Sequence, residues 1–449
     1  MTSEIEAKSL HVPGAYGEPP DGWTWSRLDD VSEGVFDCPH STPKLTDAGP
    51  LVVRTQDIIT GVFRADQAGR VSEEIYAKRI ERVTPSRGDL LYSREGTYFG
   101  IAAEVPAKTR VCLGQRMVLI RPDKRRLDFS FLRHWLNSPI MAAHIHGYRD
   151  GSVAERLNLP TIRALPILIP PLAEQKAIAS ILGALDDKIE LNRRMNATLE
   201  AMARALFQSW FVDFDPVRAK LDGRQPEGMD KATAALFPTN FQESPLDEIP
   251  NGWRLGTLGE LVQLRTDRVD ATPAKNITRY IALEDMPSKS INLSNFQLGS
   301  AVNSSITAFK KGDILFGSMR PYFHKVGLAS FDGITRTTTF VLRPQKDCFR
   351  NFSLMHFFSD DVVAHATTAS VGTTIPYVRW DSIESYRIPI PPDSLLEAFE
   401  KTVSPLVQCI AGQGEEAHTL ATLRDTLLPK LLSGELSVGD FVDNKDLFL

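Results

Sequence analysis

The sequence predicts an α+β protein in which two tandem mixed α/β domains are separated by two long helices. Three observations support this fold class. The second half of the chain repeats the motifs of the first, each copy opens with short strand-like segments, and each copy ends in a stretch with helical periodicity. With 449 residues, of which 42% are hydrophobic and 24% charged, the chain is long enough for several globular domains.

The repeat is visible as four short motifs that recur in the same order. The matched pairs are Asp21-Gly22-Trp23 with Asn251-Gly252-Trp253, Gly88-Asp89-Leu90-Leu91 with Gly312-Asp313-Ile314-Leu315, Arg121-Pro122 with Arg343-Pro344, and Pro170-Pro171 with Pro391-Pro392. Because the repeat is far longer than that of a solenoid, it indicates tandem duplication of a whole domain together with the helix that follows it.

The first part of each copy has the composition of short strands joined by turns. Runs of β-branched and aromatic residues alternate with Gly, Pro, Asp and Asn, and a short helix and a last strand precede each Pro-Pro pair. The predicted strands include residues 51–54, 89–93, 116–121 and 313–316, and the predicted short helices are 129–136 and 352–358.

After each Pro-Pro pair the hydrophobic residues take the spacing of a two-helix seam. In the first copy the seam positions are Ile178, Ile181, Leu185, Met195, Leu199, Met202 and Leu206, with Lys188 and Asn192 as polar interruptions. In the second copy they are Phe399, Leu406, Leu420 and Leu427, with Val403 and Ile410 on the other seam position. A helix over 172–209 would be roughly 55 Å long, which is longer than packing on its own domain requires.

These patterns divide the chain into six segments. The predicted bounds are a first domain at 1–170, a first spacer helix at 171–215, a linker at 216–245, a second domain at 246–390, a second spacer helix at 391–433 and an acidic tail at 434–449.

Charge and composition limit the classes of partner. The net charge is −5, but the two domain segments are mildly positive and the helical segments carry the acidic excess, so DNA binding is permitted. No apolar run reaches the ~20 residues of a membrane span, and the N-terminus lacks a signal peptide, so we expect a cytoplasmic protein without membrane contact. The four cysteines, Cys38, Cys112, Cys348 and Cys409, are scattered and are predicted to be reduced thiols.

Motifs typical of catalysis are missing from the sequence. It contains no GxGxxG or GxxxxGK[ST] phosphate-binding loop, and its Pro-Pro pairs lack the flanking polar and aromatic residues of amino-methyltransferases. His144 and His146 have no third ligand nearby, so no metal site is predicted. We therefore expect no catalytic residues, no enzymatic activity, and no binding of S-adenosylmethionine or ATP by this chain.

Side chains suited to DNA contacts are concentrated in loops of both copies. For a single loop a solvated surface is the simpler explanation, but matched positions in both copies make a functional role as plausible. The candidate DNA-binding residues are His40, Ser41, Thr42, Lys44, Arg54, Gln56, Arg94, Thr97, Tyr98 and Arg149 in the first copy, and Arg320, Tyr322, His324, Lys325, Thr373, Tyr377 and Arg379 in the second.

Three further stretches stand out beside the repeated Gly-Asp turns: residues 170–178 (PPLAEQKAI), 210–216 (WFVDFDP) and 37–44 (DCPHSTPK). In these stretches and turns the chain resembles the specificity subunits of type I restriction-modification systems. The resemblance implies two target-recognition domains, each contacting one half of a split double-stranded DNA site. One departure is that the second Pro-Pro pair lacks the Glu-Gln that follows the first, which leaves open whether both helix starts make the same contacts.

The resemblance also implies partners and a helix arrangement. The long helices would form an antiparallel coiled coil with pseudo-twofold symmetry, docking two methyltransferase subunits, and restriction subunits would join the complex. S-adenosylmethionine, ATP and Mg would bind to those partners. We expect Asn192 to face its match, Gln413, across the seam. Because the copies share a framework but differ in their loops, we also expect two unrelated half-sites, roughly 34 Å apart from centre to centre.

Two other classes of function remain open from the sequence alone. A stand-alone DNA-binding repressor would also lack catalytic residues, although no recognition-helix pair is evident. A coiled-coil adaptor would explain the long helices but not the duplicated, loop-bearing domains. Co-purification separates these classes, because only a specificity subunit should capture a methyltransferase.

Overall fold

The computed structural model describes residues 18–59, 61–96, 98–146, 156–245, 247–267, 279–298 and 306–438. The chain forms two compact units. Unit 1 comprises Met1–Asp187 with Ala421–Leu449, and unit 2 comprises Lys188–Leu420. Each unit therefore contains one predicted domain together with parts of both long helices. Among the described residues, no helix is both long and apolar enough to cross a membrane.

Unit 1 contains a four-stranded antiparallel sheet, a three-stranded sheet and a two-stranded pair. The strands are β1 (Thr24–Arg27), β2 (Ser32–Asp37), β3 (Thr46–Val53), β4 (Gly69–Arg70), β5 (Leu90–Ser93), β6 (Ala102–Glu104), β7 (Val111–Leu113), β8 (Met117–Pro122) and β9 (Pro166–Ile169). The helices are α1 (Glu73–Arg79), α2 (Phe129–Leu136), α3 (Pro139–His146) and α4 (Leu159–Arg163), followed by the first part of α5 (Leu172–Phe207). The sheet orders are β2-β8-β5-β6, β4-β3-β7 and β1-β9.

Unit 2 repeats this plan. A π-helical turn, Gln208–Val212, follows α5, and the next helices are α6 (Asp215–Leu221), α7 (Lys231–Ala235), α8 (Arg350–Phe357), α9 (Asp360–Thr368), α10 (Trp380–Glu384) and α11 (Asp393–Ser433). The strands are β10 (Phe241–Gln242), β11 (Ile249–Pro250), β12 (Arg254–Thr257), β13 (Val262–Arg265), β14 (Arg279–Ile281), β15 (Gln297–Leu298), β16 (Ile306–Phe309), β17 (Ile314–Gly317), β18 (Val326–Leu328), β19 (Gly333–Arg336), β20 (Thr339–Pro344) and β21 (Arg387–Ile390). The orders β13-β20-β17-β18 and β12-β21 match those of unit 1, and β15-β14-β19-β16 forms a further sheet.

The repeated Gly-Asp and Arg-Pro motifs form the same buried ion pair in each unit. Gly88 takes the left-handed conformation that its turn requires, and both carboxylate oxygens of Asp89 accept hydrogen bonds from Arg121, each at 2.7 Å. In unit 2, Asp313 and Arg343 form the same bidentate pair, with both distances at 2.8 Å. The motifs recur because each pair joins a turn to the neighbouring strand of the main sheet.

The core of unit 1 includes parts of both long helices. Ile178 and Leu182 from α5 and Leu428, Leu431 and Leu432 from α11 are buried in one cluster with the main sheet and α2. The tail predicted at 434–449 is described only to residue 438, and Leu436 and Val438 in that stretch pack against this cluster.

The core of unit 2 is rich in aromatic rings. Phe211 packs on Phe352 and Phe399, with ring centroids 4.9 and 4.8 Å apart. Residues 216–245 were predicted as a linker, but this prediction is wrong in part, because the segment forms α6, α7 and β10 and buries Val217 and Phe237 in the same core. The sequence showed little periodicity there because each of these elements is seven residues or shorter.

Several predicted elements are confirmed. The short helix at 129–136 is α2, and the one at 352–358 begins two residues earlier as α8. The predicted helix at 172–209 is α5, which passes directly into the π-helical turn. All four cysteines are free thiols, as predicted.

The Glu-Gln pair after the first Pro-Pro has a structural role. Gln175 is fully buried, donates to the carbonyl oxygens of Arg126 and Pro170, and accepts from the amide of Asp128. The matching residue in the second copy is Leu396, which is buried in the core of unit 2. The departure from the repeat therefore replaces a buried polar contact by an apolar one.

Candidate nucleic-acid interface

Two loops of unit 2 that carry predicted DNA-binding residues are hydrogen-bonded side by side. The amide of Arg320 donates to the carbonyl of Pro376 at 2.7 Å, and the amide of Val378 donates to the carbonyl of Ser318 at 2.9 Å. A single β-bridge joins Met319 to Tyr377. These contacts bring the loops at residues 318–325 and 371–379 together as one surface.

This surface exposes rings and cationic groups. Tyr322 and Tyr377 are exposed by 51% and 43%, Thr373 and Arg379 are exposed, and Arg320 is partly exposed. Rings of this kind can stack on bases, hydroxyl groups can bind phosphate oxygens, and guanidinium groups can bind phosphates or guanine edges. The five side chains are therefore placed where a DNA ligand could reach them.

The prediction for His324 is corrected, since its ring is 4% exposed. Its Nε2 lies 2.8 Å from the carbonyl oxygen of Phe358, and burial lowers the pKa of the imidazole. Lys325 is half-buried, and its ammonium group donates to the carbonyl of Leu283 at 2.6 Å. Both side chains anchor the loop, because each binds a backbone carbonyl of another segment of unit 2.

In unit 1 the first predicted loop lies open to solvent. His40, Ser41, Thr42 and Lys44 are exposed, and Thr42 donates to Gln115 at 2.9 Å. Arg79 holds this loop by donating to the carbonyl and hydroxyl oxygens of Ser41. Gln56 and Tyr98 are also exposed.

Two arginines of unit 1 that were predicted to bind DNA, Arg54 and Arg94, form ion pairs with carboxylates. Arg54 makes a two-point contact with buried Asp57, with both distances at 3.1 Å, and Arg94 pairs with Asp37 at 2.9 Å. Such pairing fixes the loop backbone and leaves less of each guanidinium group for a ligand. Thr97 and Arg149 lie outside the described residues.

One group in unit 1 has the atoms of a metal site. Ligand atoms of Asp37, Cys38 and His40 all lie within 4.8 Å of one another. However, Arg94 already occupies an oxygen of Asp37, and burial raises the pKa of the Cys38 thiol, which disfavours the thiolate that a metal needs. The surroundings therefore oppose a cation at this position.

The long helices run antiparallel where they pair inside unit 2. Lys188 and Asn192 both contact Glu416, at 3.3 and 2.8 Å, whereas Asn196, further along α5, donates to the carbonyl of Ile410, earlier in α11. Asn192 is fully buried and also donates to the backbone carbonyl of Gln413 at 3.4 Å. The predicted partner residues thus meet, but the contact uses the backbone of Gln413, and its side-chain amide instead donates to Cys409.

Burial along the long helices follows the predicted seam only in part, since Leu182 rather than Ile181 is fully buried, and it departs further after Asn192. Ile178 is buried and Leu185 and Leu199 are half-buried, whereas Met195 and Met202 are 41% and 48% exposed. The buried positions of α5 beyond Asn192 are instead Asn196, Glu200, Ala203 and Phe207. On α11, Phe399, Val403 and Ile410 are buried, and Leu406, Gln413 and Leu420 are half-buried. Hydrophobic spacing assigned Met195 and Met202 to the seam. It could not show that the polar residues Asn196 and Glu200 are buried instead.

Phe323 is a candidate residue that sequence reasoning did not select. It is 44% exposed beside Tyr322, with ring centroids 4.8 Å apart. The signal that could have found it is a further match between the copies, since Gly96-Thr97-Tyr98-Phe99-Gly100 and Arg320-Pro321-Tyr322-Phe323-His324 follow the Gly-Asp turns at the same distance.

Comparison with known proteins agrees with this duplicated architecture. The family model of the type I restriction modification DNA specificity domain matches twice, at residues 20–201 and 250–426. The chain belongs to this family.

Its relatives include specificity subunits of type I restriction enzymes from two organisms. The MjaIX specificity subunit of Methanocaldococcus jannaschii is 26% identical, with 97% of this chain and 98% of the relative covered. The HindI specificity subunit of Haemophilus influenzae is 24% identical, with coverage of 92% and 99%. The crystal structure of a type I restriction-modification S subunit from M. genitalium has the same fold, with a TM-score of 0.52 at 17% identity and coverage of 91% of this chain and 96% of that one.

Membership of this family defines the general role of the chain. It is a non-catalytic specificity subunit of a type I restriction-modification system, acting on DNA and assembling with other subunits that carry catalysis. The repressor and adaptor hypotheses are not favoured by this result.

Proposed function

We propose that unit 1 and unit 2 each read one half of a split double-stranded DNA site. The single observation that carries this proposal is that the two units have the same structural framework but different loop side chains. The buried pairs Asp89–Arg121 and Asp313–Arg343 are the same, whereas the exposed side chains of the loops that follow the Gly-Asp turns differ. Equal frameworks favour the same docking on DNA, and different loop side chains favour different bases.

The proposed contacts in unit 2 are Arg320, Tyr322, Thr373, Tyr377 and Arg379. An arginine that reaches a guanine edge contributes about 1–3 kcal/mol of discrimination, whereas a phosphate contact strengthens binding to every sequence. In unit 1 the proposed contacts are His40, Ser41, Thr42, Lys44, Gln56 and Tyr98. Their exposure and their hydrogen-bonding groups support this assignment.

Replacing residues 246–390 by the matching segment of a relative tests independent reading. Methylome sequencing of a host that carries the swapped chain should show one changed half-site, with the other half-site and the spacer unchanged. The matched control is a swap of residues 20–165, which should change only the other half-site. A motif that changes in both halves after one swap, or a continuous motif, would refute the proposal.

We also propose that methyltransferase subunits dock on an apolar stripe of α5. Leu191, Met195 and Met202 recur on one helical face and are 51%, 41% and 48% exposed. Exposed apolar stripes on a soluble helix are typical of partner sites. Restriction subunits would join the same complex. S-adenosylmethionine, ATP and Mg would then bind to the partners, since the sequence of this chain has none of the phosphate-binding loops that would hold a nucleotide.

Charged substitutions in the stripe test the docking site. Met195→Lys with Met202→Glu should reduce co-purification of the methyltransferase subunit at least tenfold, while the circular dichroism spectrum stays unchanged. Ala197→Lys, which alters an exposed position away from the stripe, is the control and should leave assembly intact. Equal assembly by both variants would contradict docking at this face.

A further inference from the structure

A five-residue loop is repeated in both units and carries a Tyr-Phe pair at its tip. In unit 1 it is Gly96–Gly100, and in unit 2 it is Arg320–His324. The first and last residues have positive φ in both loops, at 92° and 80° for the two glycines and at 48° and 51° for Arg320 and His324. Left-handed φ angles at these two positions are therefore common to both loops, although unit 2 has arginine and histidine where unit 1 has glycine.

The loop of unit 2 keeps this conformation because its surroundings hold it. Non-glycine residues seldom adopt left-handed φ angles, and they persist only where neighbouring groups fix them. Pro376 accepts from the amide of Arg320, the ring of His324 is buried against Phe358, and Ser288 donates to the carbonyl of Phe323 at 2.6 Å. The loop is thus a rigid projection.

The two tips differ in what they expose. In unit 1, Phe99 is 8% exposed and packs edge-on against His146, so that only Tyr98 faces solvent. In unit 2, Tyr322 and Phe323 are both exposed, and their rings lie 4.8 Å apart. A rigid pair of exposed rings has the form of a wedge, whereas the unit 1 tip offers a single ring.

The neighbours of the unit 2 tip favour DNA as its ligand. Arg320 starts the loop, and exposed Arg379 lies on the adjoining segment together with exposed Ile375 and Tyr377. Cationic groups beside apolar rings match the alternation of phosphates and bases along a strand. An apolar protein partner would not need these cations.

We propose that Tyr322 and Phe323 form a wedge that unstacks a base step in the half-site read by unit 2, whereas the unit 1 loop touches its half-site without opening it. The inference rests on the proposed reading of a split site. Side chains inserted between base steps partly unstack and kink the duplex. Because the loop is held before DNA arrives, it loses little conformational freedom on insertion.

The test uses the chain assembled with its methyltransferase subunit and a duplex carrying the motif found by methylome sequencing. 2-Aminopurine, whose fluorescence rises when it is unstacked, replaces one base at a time in each half-site. The adenine that is methylated stays unlabelled, because its extrusion for methyl transfer would raise fluorescence by itself. We expect a rise at one step in the half-site assigned to unit 2 and no rise in the other half-site.

Variants of the tip decide between a wedge and a simple surface contact. Tyr322→Ala with Phe323→Ala should abolish the rise and weaken binding roughly 5- to 100-fold. Tyr322→Phe, which keeps the ring and removes the hydroxyl, should retain the rise. Tyr98→Ala is the matched control and, measured at saturating protein so that a weaker contact in unit 1 does not lower occupancy, should also retain the rise. A rise that persists in the double alanine variant, or no rise in either half-site, would overturn the wedge. Failure of the proposed split reading would instead appear in the domain-swap methylomes, which do not depend on the tip.

Discussion

The two units differ at the matching place where both long helices meet the short helix of the domain. In unit 1, Asp186 of α5 is bonded to Arg133 of α2 and Arg424 of α11, each at 2.9 Å. The matching residues of unit 2 are Val407, Leu354 and Ala203, all buried in its apolar core. One duplicated architecture therefore holds its helices by a nearly buried ion triad in one copy and by apolar packing in the other.

The difference shows that the same duplicated fold can hold its helices together by either charged or apolar contacts. In Asp186, burial raises the pKa, but Arg133 and Arg424 together hold it below its ordinary value, so the carboxylate stays charged. Buried ion triads are often no more stabilising than well-packed apolar side chains of similar volume. Unit 2 supplies that apolar alternative within the same chain.

The largest effect is expected from placing the unit 1 carboxylate in unit 2. Val407→Asp would bury a charge where unit 2 has Leu354 and Ala203 in place of the two arginines of unit 1, which should cost about 4 kcal/mol or more. Chemical denaturation followed by tryptophan fluorescence and hydrogen exchange would measure the loss. The defect should be confined to unit 2 and should be milder at low pH, where the carboxyl is neutral. Wild-type stability for this variant would contradict the apolar description of the site.

The converse change in unit 1 should be somewhat smaller. Asp186→Val leaves Arg133 and Arg424 without their shared carboxylate and should destabilise unit 1 by about 3–5 kcal/mol. The triple variant Arg133→Leu, Asp186→Val and Arg424→Ala copies the unit 2 solution and should recover most of that loss. If the triple variant were less stable than the single one, the two solutions would not be interchangeable.

Much of the fold was predictable from the sequence, because the residues that specify it act locally or recur in both copies. The helix at 129–136 follows Asp128, whose side chain accepts from the amides of Ser130 and Phe131, and the Gly-Asp turns recur with their Arg-Pro partners. The triad of Arg133, Asp186 and Arg424 was not predictable, because each member alone resembles a solvated helix residue. Its three positions meet only in the folded unit.

The candidate DNA-binding residues were predicted from their residue types. The structure separates those that solvent can reach from those that are buried. Tyr322, Tyr377 and Arg379 are exposed as expected, whereas His324 is buried. Loop composition could not separate these cases, because an imidazole that anchors a turn and one that contacts DNA look the same in a sequence. The departure from the predicted seam at Met195 has a similar cause, since spacing does not reveal which helical face the partner covers.

Acidification should weaken both units through one buried histidine in each. Burial lowers the pKa of His134 in unit 1 and of His356 in unit 2 to about 3. Below the ordinary value of 6.5 only the unfolded chain takes up these protons, so stability should be full above pH 6.5 and should fall as the pH drops towards 3, by roughly several kcal/mol.

Replacing one histidine at a time resolves the two contributions. His134→Met introduces the residue that unit 2 has at the matching position, Met355, and should flatten the pH dependence of unit 1 alone. His356→Phe should do the same for unit 2. Urea denaturation at pH 4.5 and pH 7.5 would measure the slopes. An unchanged slope in both variants would show that carboxylates dominate the acid response.

The smallest effect is expected where α5 and α11 cross within unit 2. Asn192 is buried, and its side-chain oxygen, like that of Gln413, has no hydrogen-bond donor among the residues described. An amide that is only half satisfied costs stability, so Asn192→Leu with Gln413→Leu should raise the melting temperature by a few degrees, equivalent to about 1 kcal/mol. Glu416 would keep its ion pair with Lys188 at 3.3 Å, which limits the damage to the crossing.

The same substitution should reduce the precision of helix pairing. A buried amide fixes register because any slip would leave its donors unpaired as well, whereas leucines pack acceptably in more than one register. We therefore expect the double leucine variant to melt higher but to capture the methyltransferase subunit less completely, as measured by size-exclusion chromatography. The single variant Lys188→Met removes a partly exposed contact at the same crossing and is the control for general disturbance. If the double variant assembled fully, the amides would contribute nothing to register, and their retention would need another reason.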